Sequence, residues 1–265
     1  MSGLVPGIVG SGGGGVTWKG NLSTATQVHA PVATNALASS YYIKFSPDGT
    51  KAICVTAGSN SISFYTVSTS FDPRTLTLVR TVTVTSASAF YSGEIRGRYF
   101  YGVNNAGLIY RVDLGADWAI PAGTSIAFDQ SFNTGVSSND VYSICVAHDG
   151  SNIYIAPHTS GVVYRVQLAT PHIINAGTTV TNADLGNTLL GLMISGDGKK
   201  FYHNTYSTSV LTEYDMITPY SLTVISQVRT RDLDDTRGWS MNDDGSRLYG
   251  KNVSDNTVVT YSLAA

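Results

Sequence analysis

Phe45-Ser46-Pro47-Asp48-Gly49-Thr50 decides the fold, because the same phrase returns along the chain at a nearly fixed interval. It comes back as Val146-Ala147-His148-Asp149-Gly150-Ser151, as Ile194-Ser195-Gly196-Asp197-Gly198-Lys199 and as Met241-Asn242-Asp243-Asp244-Gly245-Ser246. A degenerate copy, Ile95-Arg96-Gly97-Arg98, fills the gap after the first. The turn glycines stand at 49, 97, 150, 198 and 245, in steps of 48, 53, 48 and 47, so five copies of one unit account for nearly all 265 residues.

Within the first unit, Tyr41 to Phe45 is rich in aromatic and β-branched residues, and Asp48-Gly49 supplies a tight turn. Ala52 to Thr56 forms a second apolar run. Gly58-Ser59-Asn60 breaks it, and Ser61 to Val67 alternates as a half-buried strand does. Leu76 to Thr85 follows the Phe71-Asp72-Pro73 turn as a fourth strand that opens the next unit. Four short antiparallel strands per ~40–50 residues is the pattern of a propeller blade. The expected fold is therefore all-β: a five-bladed β-propeller with four antiparallel strands per blade over residues 16–265, preceded by a flexible Gly-rich N-terminal segment, 1–15.

On this layout the Asp-Gly phrase joins the two middle strands of each blade. Tyr65, Tyr110, Tyr164, Tyr214 and Tyr261 recur on the outer strand, and Ile53, Phe100, Ile153, Phe201 and Leu248 on the third. Both series read as packing between blades. Asn21 to Val32 is expected to supply the first inner strand, giving five blades with no strand borrowed from the opposite terminus; pairing of Val16 to Trp18 with the last blade is the alternative.

The Asp-Gly turns, each followed by a Lys- or Ser-led strand, resemble bacterial propeller repeats of the YVTN and WD-repeat kind, most closely at Phe45 to Lys51. The linker Ser68-Thr69-Ser70-Phe71-Asp72-Pro73 resembles repeats of bacteriophage and marine bacterial propellers. These motifs are structural. They imply a fold and transfer no catalytic residue.

Charged residues make up 13% of the chain, about half of the ~25% usual in soluble proteins. A net charge of -2 leaves no electrostatic footprint for nucleic acid. Cys54 and Cys145 fall in blades that are not neighbours, so they read as separate buried thiols. The start, Met1 to Gly10, lacks the basic head and unbroken apolar run of a signal peptide, and no segment is long and apolar enough to insert in a membrane. Leu4, Val5, Ile8 and Val9 before the Ser11 to Gly15 linker form a candidate docking peptide.

Propeller hydrolases need two or more carboxylates at the axis. The two glutamates, Glu94 and Glu213, are expected at a turn and on an outer strand, neither well placed. Asp129, Asp184 and Asp232 are read onto inner strands, where they would line the channel, with a Ca²⁺ ion as the implied cofactor of a hydrolase or lactonase alternative. Arg231 to Arg237 is the densest charge cluster and is expected at a channel mouth, with Asp234 and Asp235 as acceptors and Arg237 as a donor to a polar ligand. Trp118 is a candidate sugar platform, whereas Trp239 and His203 read as core residues. Phosphate-cradling glycine loops and Gly-x-Ser-x-Gly motifs are absent.

The resulting expectation is a non-enzymatic protein of a phage virion, in a tail or associated with the capsid. It has no resident cofactor, docks through residues 1–15 to other virion proteins in several copies of a symmetric assembly, and offers its loops to a host-surface glycan or protein. Its location is then the virion, extracellular after lysis. A bacterial interaction scaffold is the third alternative.

Overall fold

A strand squeezed on both faces near a symmetry axis has room only for small or apolar side chains, whereas a strand on the rim can carry threonines and charges. That difference orders the strands of this computed structural model, which describes residues 20–33, 37, 40, 42–136, 140–175, 180–186, 188–205, 210–233, 238–252 and 256–264. In chain order, β1 (Thr26–Ala33) is followed by β2 (Lys44–Phe45), β3 (Lys51–Val55), β4 (Ser61–Val67) and β5 (Leu76–Thr85). Next come β6 (Ser92–Arg96), β7 (Tyr99–Val103), β8 (Leu108–Asp113), β9 (Ser125–Ala127) and β10 (Gln130–Asn133). The third group is β11 (Val141–Val146), β12 (Asn152–Pro157), β13 (Val162–Gln167) and β14 (Val180–Asp184); the fourth is β15 (Leu189–Ile194), β16 (Lys200–Thr205), β17 (Val210–Met216) and β18 (Ile225–Asp232). The chain ends with β19 (Gly238–Met241), β20 (Arg247–Lys251) and β21 (Thr257–Ser262).

These strands make a five-bladed β-propeller. Blade one is β2-β3-β4-β5, blade two β6-β7-β8-β10, blade three β11 to β14, blade four β15 to β18, and blade five β19-β20-β21-β1. β6, β11, β15 and β19 lie beside one another around the axis, and they are the small, apolar strands. A Cβ on Gly93 would stand 2.6 Å from the Phe100 ring, and one on Gly191 would stand 2.3 Å from Asn204 Oδ1. β15 is buried at every position, whereas β18 has no buried residue.

The Asp-Gly phrase therefore joins the innermost strand of each blade to the second, not the two middle strands. The strands read as openers of a unit, such as Leu76 to Thr85, are the outermost strands of the unit before. The repeated tyrosines move to the third strand and the Ile53 series to the second. Both series still lie between blades. Five apolar clusters, one per interface, contain Tyr110 and Phe100 between blades one and two, Tyr214 and Phe201 between three and four, and Tyr261 and Leu248 between four and five. Burying one such large side chain contributes roughly 1.5–3 kcal/mol.

Ring closure also differs from the expectation. β1 is not an inner strand of blade one; it pairs antiparallel with β21, from Thr26↔Ser262 to Ala33↔Thr257, and supplies the outermost strand of blade five. The two ends of the chain are thus knitted into one sheet. Ala264 N donates to Thr24 Oγ1 at 2.8 Å, and the Arg231 guanidinium donates to the carbonyls of Leu22 at 2.6 Å and Ala25 at 2.7 Å. The alternative strand, 16–18, and the docking peptide with its Leu4, Val5, Ile8 and Val9 lie outside the described residues. On blade one, β9 runs parallel to β5 and covers an outer edge that would otherwise be open to further pairing.

Cys54 on β3 and Cys145 on β11 are buried and free, and burial pushes both thiols up to about 12.

Candidate functional site

Four of the five turns are built alike. In blades one, three, four and five the aspartate before the glycine accepts from the backbone N–H two residues on, at 3.0, 2.9, 3.0 and 2.9 Å, which fixes the turn. Gly49, Gly150 and Gly198 take φ of 71°, 70° and 70°. Over each lies an aromatic ring from the connection between the third and outermost strands: Phe71, His172 and Tyr220. These three residues themselves hold left-handed φ of 64°, 66° and 61°, and their N–H groups donate to the glycine carbonyls at 3.0, 2.9 and 2.8 Å. Such backbone strain costs about 1 kcal/mol per residue and is offset by the ring's packing on the bare glycine.

Blade two departs from this pattern. Its turn is cut to Gly97-Arg98, and although Trp118 keeps the left-handed φ of 50° and bonds the Gly97 carbonyl at 3.4 Å, its ring turns into the core between blades one and two. A Cβ on Gly97 would meet only Asp117 Oδ1, at 3.8 Å, where the other three glycines would meet a ring at 2.2–2.7 Å. The missing cap leaves a cavity of about 310 Å³ between blades one, two and five, lined by Lys44, Lys51, Glu94, Arg96, Asp117 and Asp243 among others.

At its floor Arg96 reaches across the axis. Its Nη1 lies 2.7 Å from Asp243 Oδ1 in blade five and 3.3 Å from His148 Nε2 in blade three, and Nη2 pairs with Glu94. Glu94 Oε2 also accepts from Val146 N at 3.2 Å, and lies 3.7 Å from Lys44 Nζ. Burial alone would drive Arg96 towards losing its proton, but Glu94 and Asp243 hold it charged. Burial likewise raises Asp243, and the Arg96 guanidinium more than offsets it, leaving that carboxyl below 3.8. His148, buried beside Arg96, is pushed down to about 4 and is neutral at pH 7, as an acceptor for Arg96 must be.

The opposite mouth is closed differently. The Tyr42 hydroxyl crosses from blade one to the carbonyls of Tyr142 in blade three, at 3.0 Å, and Leu190 in blade four. Beside it His158 Nδ1 meets Asp140 Oδ1 at 2.7 Å, and the Tyr142 ring stands edge-on to both Tyr91 and His158.

Few of the expected site residues converge. Asp129, Asp184 and Asp232 do not face the channel. Asp129 precedes β10 and is paired with Arg111; Asp184 and Asp232 end β14 and β18, all at the outer rims of three different blades. They cannot share one ion, and no group of three or more metal-ligating side chains is found among the described residues. The reason is the strand shift described above: strands taken as innermost are outermost. Asp234, Asp235 and Arg237 lie outside the described residues, while Arg231 and Asp232 of the same stretch belong to the rim strand β18 rather than to a channel mouth. Trp118 is 8% exposed, so it offers no open platform for a sugar, although it lines one wall of the cavity. Trp239 is fully buried, and His203 bonds the Tyr214 hydroxyl at 3.1 Å in the core, both as expected. Glu94, set aside as poorly placed, is on an innermost strand. The signal that would have found it is the small-residue pattern Ser92-Gly93-Glu94, which marks an axial strand.

No protein-family model matches the chain, and no curated protein does. Solved structures share its architecture. A chain of a mitotic checkpoint complex superposes with a TM-score of 0.52 at 12% identity, covering 84% of this chain and 74% of its own. A provisionally named 6-phosphogluconolactonase of Bacteroides fragilis NCTC 9343 superposes with a TM-score of 0.50 at 15% identity, covering 86% and 72%. At such identities the likeness is one of fold.

Proposed function

We propose that this chain is a non-enzymatic binding propeller of a bacteriophage virion, in a tail or associated with the capsid, that docks through residues 1–15 and presents its loops to a host-surface glycan or protein. The observation that carries the non-enzymatic half is the state of the two axial carboxylates. Glu94 and Asp243 are both tied to Arg96, so neither is free to act on a substrate as the acid and base pair that carboxylate hydrolysis needs. The virion half draws on the low charge density and on the phage-like linker repeat. The docking half draws on the apolar Leu4, Val5, Ile8 and Val9 set before a Gly-rich stretch that precedes the first strand.

Removing residues 1–15 tests this reading. The truncated protein should melt within about 2 °C of the full chain, since residues 1–15 precede every strand of the blades and loss of a terminal segment changes stability little, and it should fail to enter assembled particles. Normal incorporation would sink the docking role.

A further inference from the structure

We propose that the cavity beside Gly97 receives a tyrosine side chain of a partner protein, one with a positive charge next to it. The sister blades define the occupant. In blades one, three and four the turn glycine is covered by the ring of Phe71, His172 or Tyr220, at 2.2–2.7 Å from where a Cβ would stand. Two of these rings are also held by a polar atom. The Tyr220 hydroxyl donates to the Gly196 carbonyl at 2.6 Å, and His172 Nδ1 meets the Tyr101 hydroxyl at 2.8 Å. In blade two the Trp118 N–H already bonds the Gly97 carbonyl, so the backbone half of the cap is present and only the ring is missing. A ring from outside can therefore complete the turn without displacing this backbone contact.

The lining narrows the choice among rings. Phe45, Ile95 and Met241 supply apolar wall to a space of about 310 Å³, room for a phenol ring. Arg96 lines the same space, and its buried Nε has no hydrogen-bond partner among the described residues. A buried donor without a partner is costly, and a phenol oxygen can accept from it where a phenylalanine ring cannot. The charges set the sign of what flanks the ring. Four carboxylates, Asp48, Glu94, Asp117 and Asp243, stand against three cations, Lys44, Lys51 and Arg96. Glu94 and Asp243 are held by Arg96, and Asp48 by Ser46 and Thr50 of its own turn. Asp117, exposed at the rim, makes no ion pair among the described residues, so a lysine or arginine next to the tyrosine can meet it there. That the partner is a host-surface protein rests on the reading above; the ring site does not.

The test uses the full chain with tyramine, which joins a phenol to an ammonium, and with three relatives that each change one feature. Phenethylamine lacks the hydroxyl, 4-(2-aminoethyl)cyclohexanol has a saturated ring, and 4-hydroxyphenylacetate reverses the charge. At a concentration about ten times Kd, tyramine should raise Tm by about 3–6 °C, and each relative should bind at least about threefold more weakly. Asp117→Asn should lower tyramine affinity about threefold and leave that of uncharged p-cresol unchanged. In the wild type, NMR shift changes confined to residues 44–51, 94–97, 117–118 and 241–243 should report the site without any substitution. The dipeptide N-acetyl-lysyl-tyrosinamide should bind at least as tightly as tyramine. Equal binding by any of the three relatives, no shift with tyramine, or weaker binding by the dipeptide would each overturn the assignment. Tyramine binding with no adhesion of particles to host protein would break only the virion reading. Adhesion without tyramine binding would break only this one.

Discussion

Blades three and four close their turns with five-residue loops pinned by aspartate and capped by an aromatic ring on glycine, whereas blade two closes in two residues and leaves its glycine bare. The repeated version is a self-contained structural device that uses up its own polar groups. The shortened one frees Arg96 to cross the axis and opens the cavity above it. A repeat protein can place a site wherever one unit is allowed to differ, because its neighbours supply the ring's stability.

The largest effect expected from this contrast is at the shortened turn itself. Arg96→Met leaves buried Glu94 and half-buried Asp243 without their shared cation and should cost about 3 kcal/mol in chemical denaturation. Arg98, on the other side of the same turn, pairs with Asp113 at the surface, and Arg98→Met should leave the midpoint unchanged. Comparable losses for both would mean that Arg96 has no special place.

A smaller effect comes from pH. His148 in the folded protein sits near 4, below its ordinary 6.5, so the unfolded chain takes up a proton first as the solution is acidified. Stability is then full above pH 6.5, falls between 6.5 and 4, and gains no further loss from this group below 4. The contribution is about 1–3 kcal/mol. His203, also held near 4 by burial, adds to the same window. His148→Gln should remove its share of the slope, measured as Tm against pH. An unchanged slope would place the histidine in solvent.

Much of this was written in the chain before any coordinates. The spacing of Gly49, Gly97, Gly150, Gly198 and Gly245 gives the blade number, and the repeated tyrosines give the interfaces. What the repeat could not reveal was its phase. A periodic sequence looks the same whichever strand is counted first, and only the side-chain chemistry breaks the tie: Ser92-Gly93-Glu94-Ile95 can stand at an axis, and Leu76 to Thr85 with its threonines and Arg80 belongs on a rim. Counting from the wrong strand moved Asp129, Asp184 and Asp232 inward and Glu94 outward. The cavity was legible only as a departure, the degenerate Ile95-Arg96-Gly97-Arg98. Its depth depends on where the Trp118 ring turns, which no local pattern encodes.

Thermal melts of Gly49→Ala, Gly97→Ala, Gly150→Ala and Gly198→Ala test most directly whether blade two lacks the cap that blades one, three and four carry. All four positions carry the left-handed backbone cost of about 1 kcal/mol, but only three must also displace a ring, for about 1–3 kcal/mol more. At about 2–4 °C per kcal/mol, Gly97→Ala should lower Tm by about 2–4 °C and the other three by about 4–16 °C. Equal losses at all four glycines would contradict the account, because they would mean that the Gly97 turn is covered like the rest and that no cavity opens beside it.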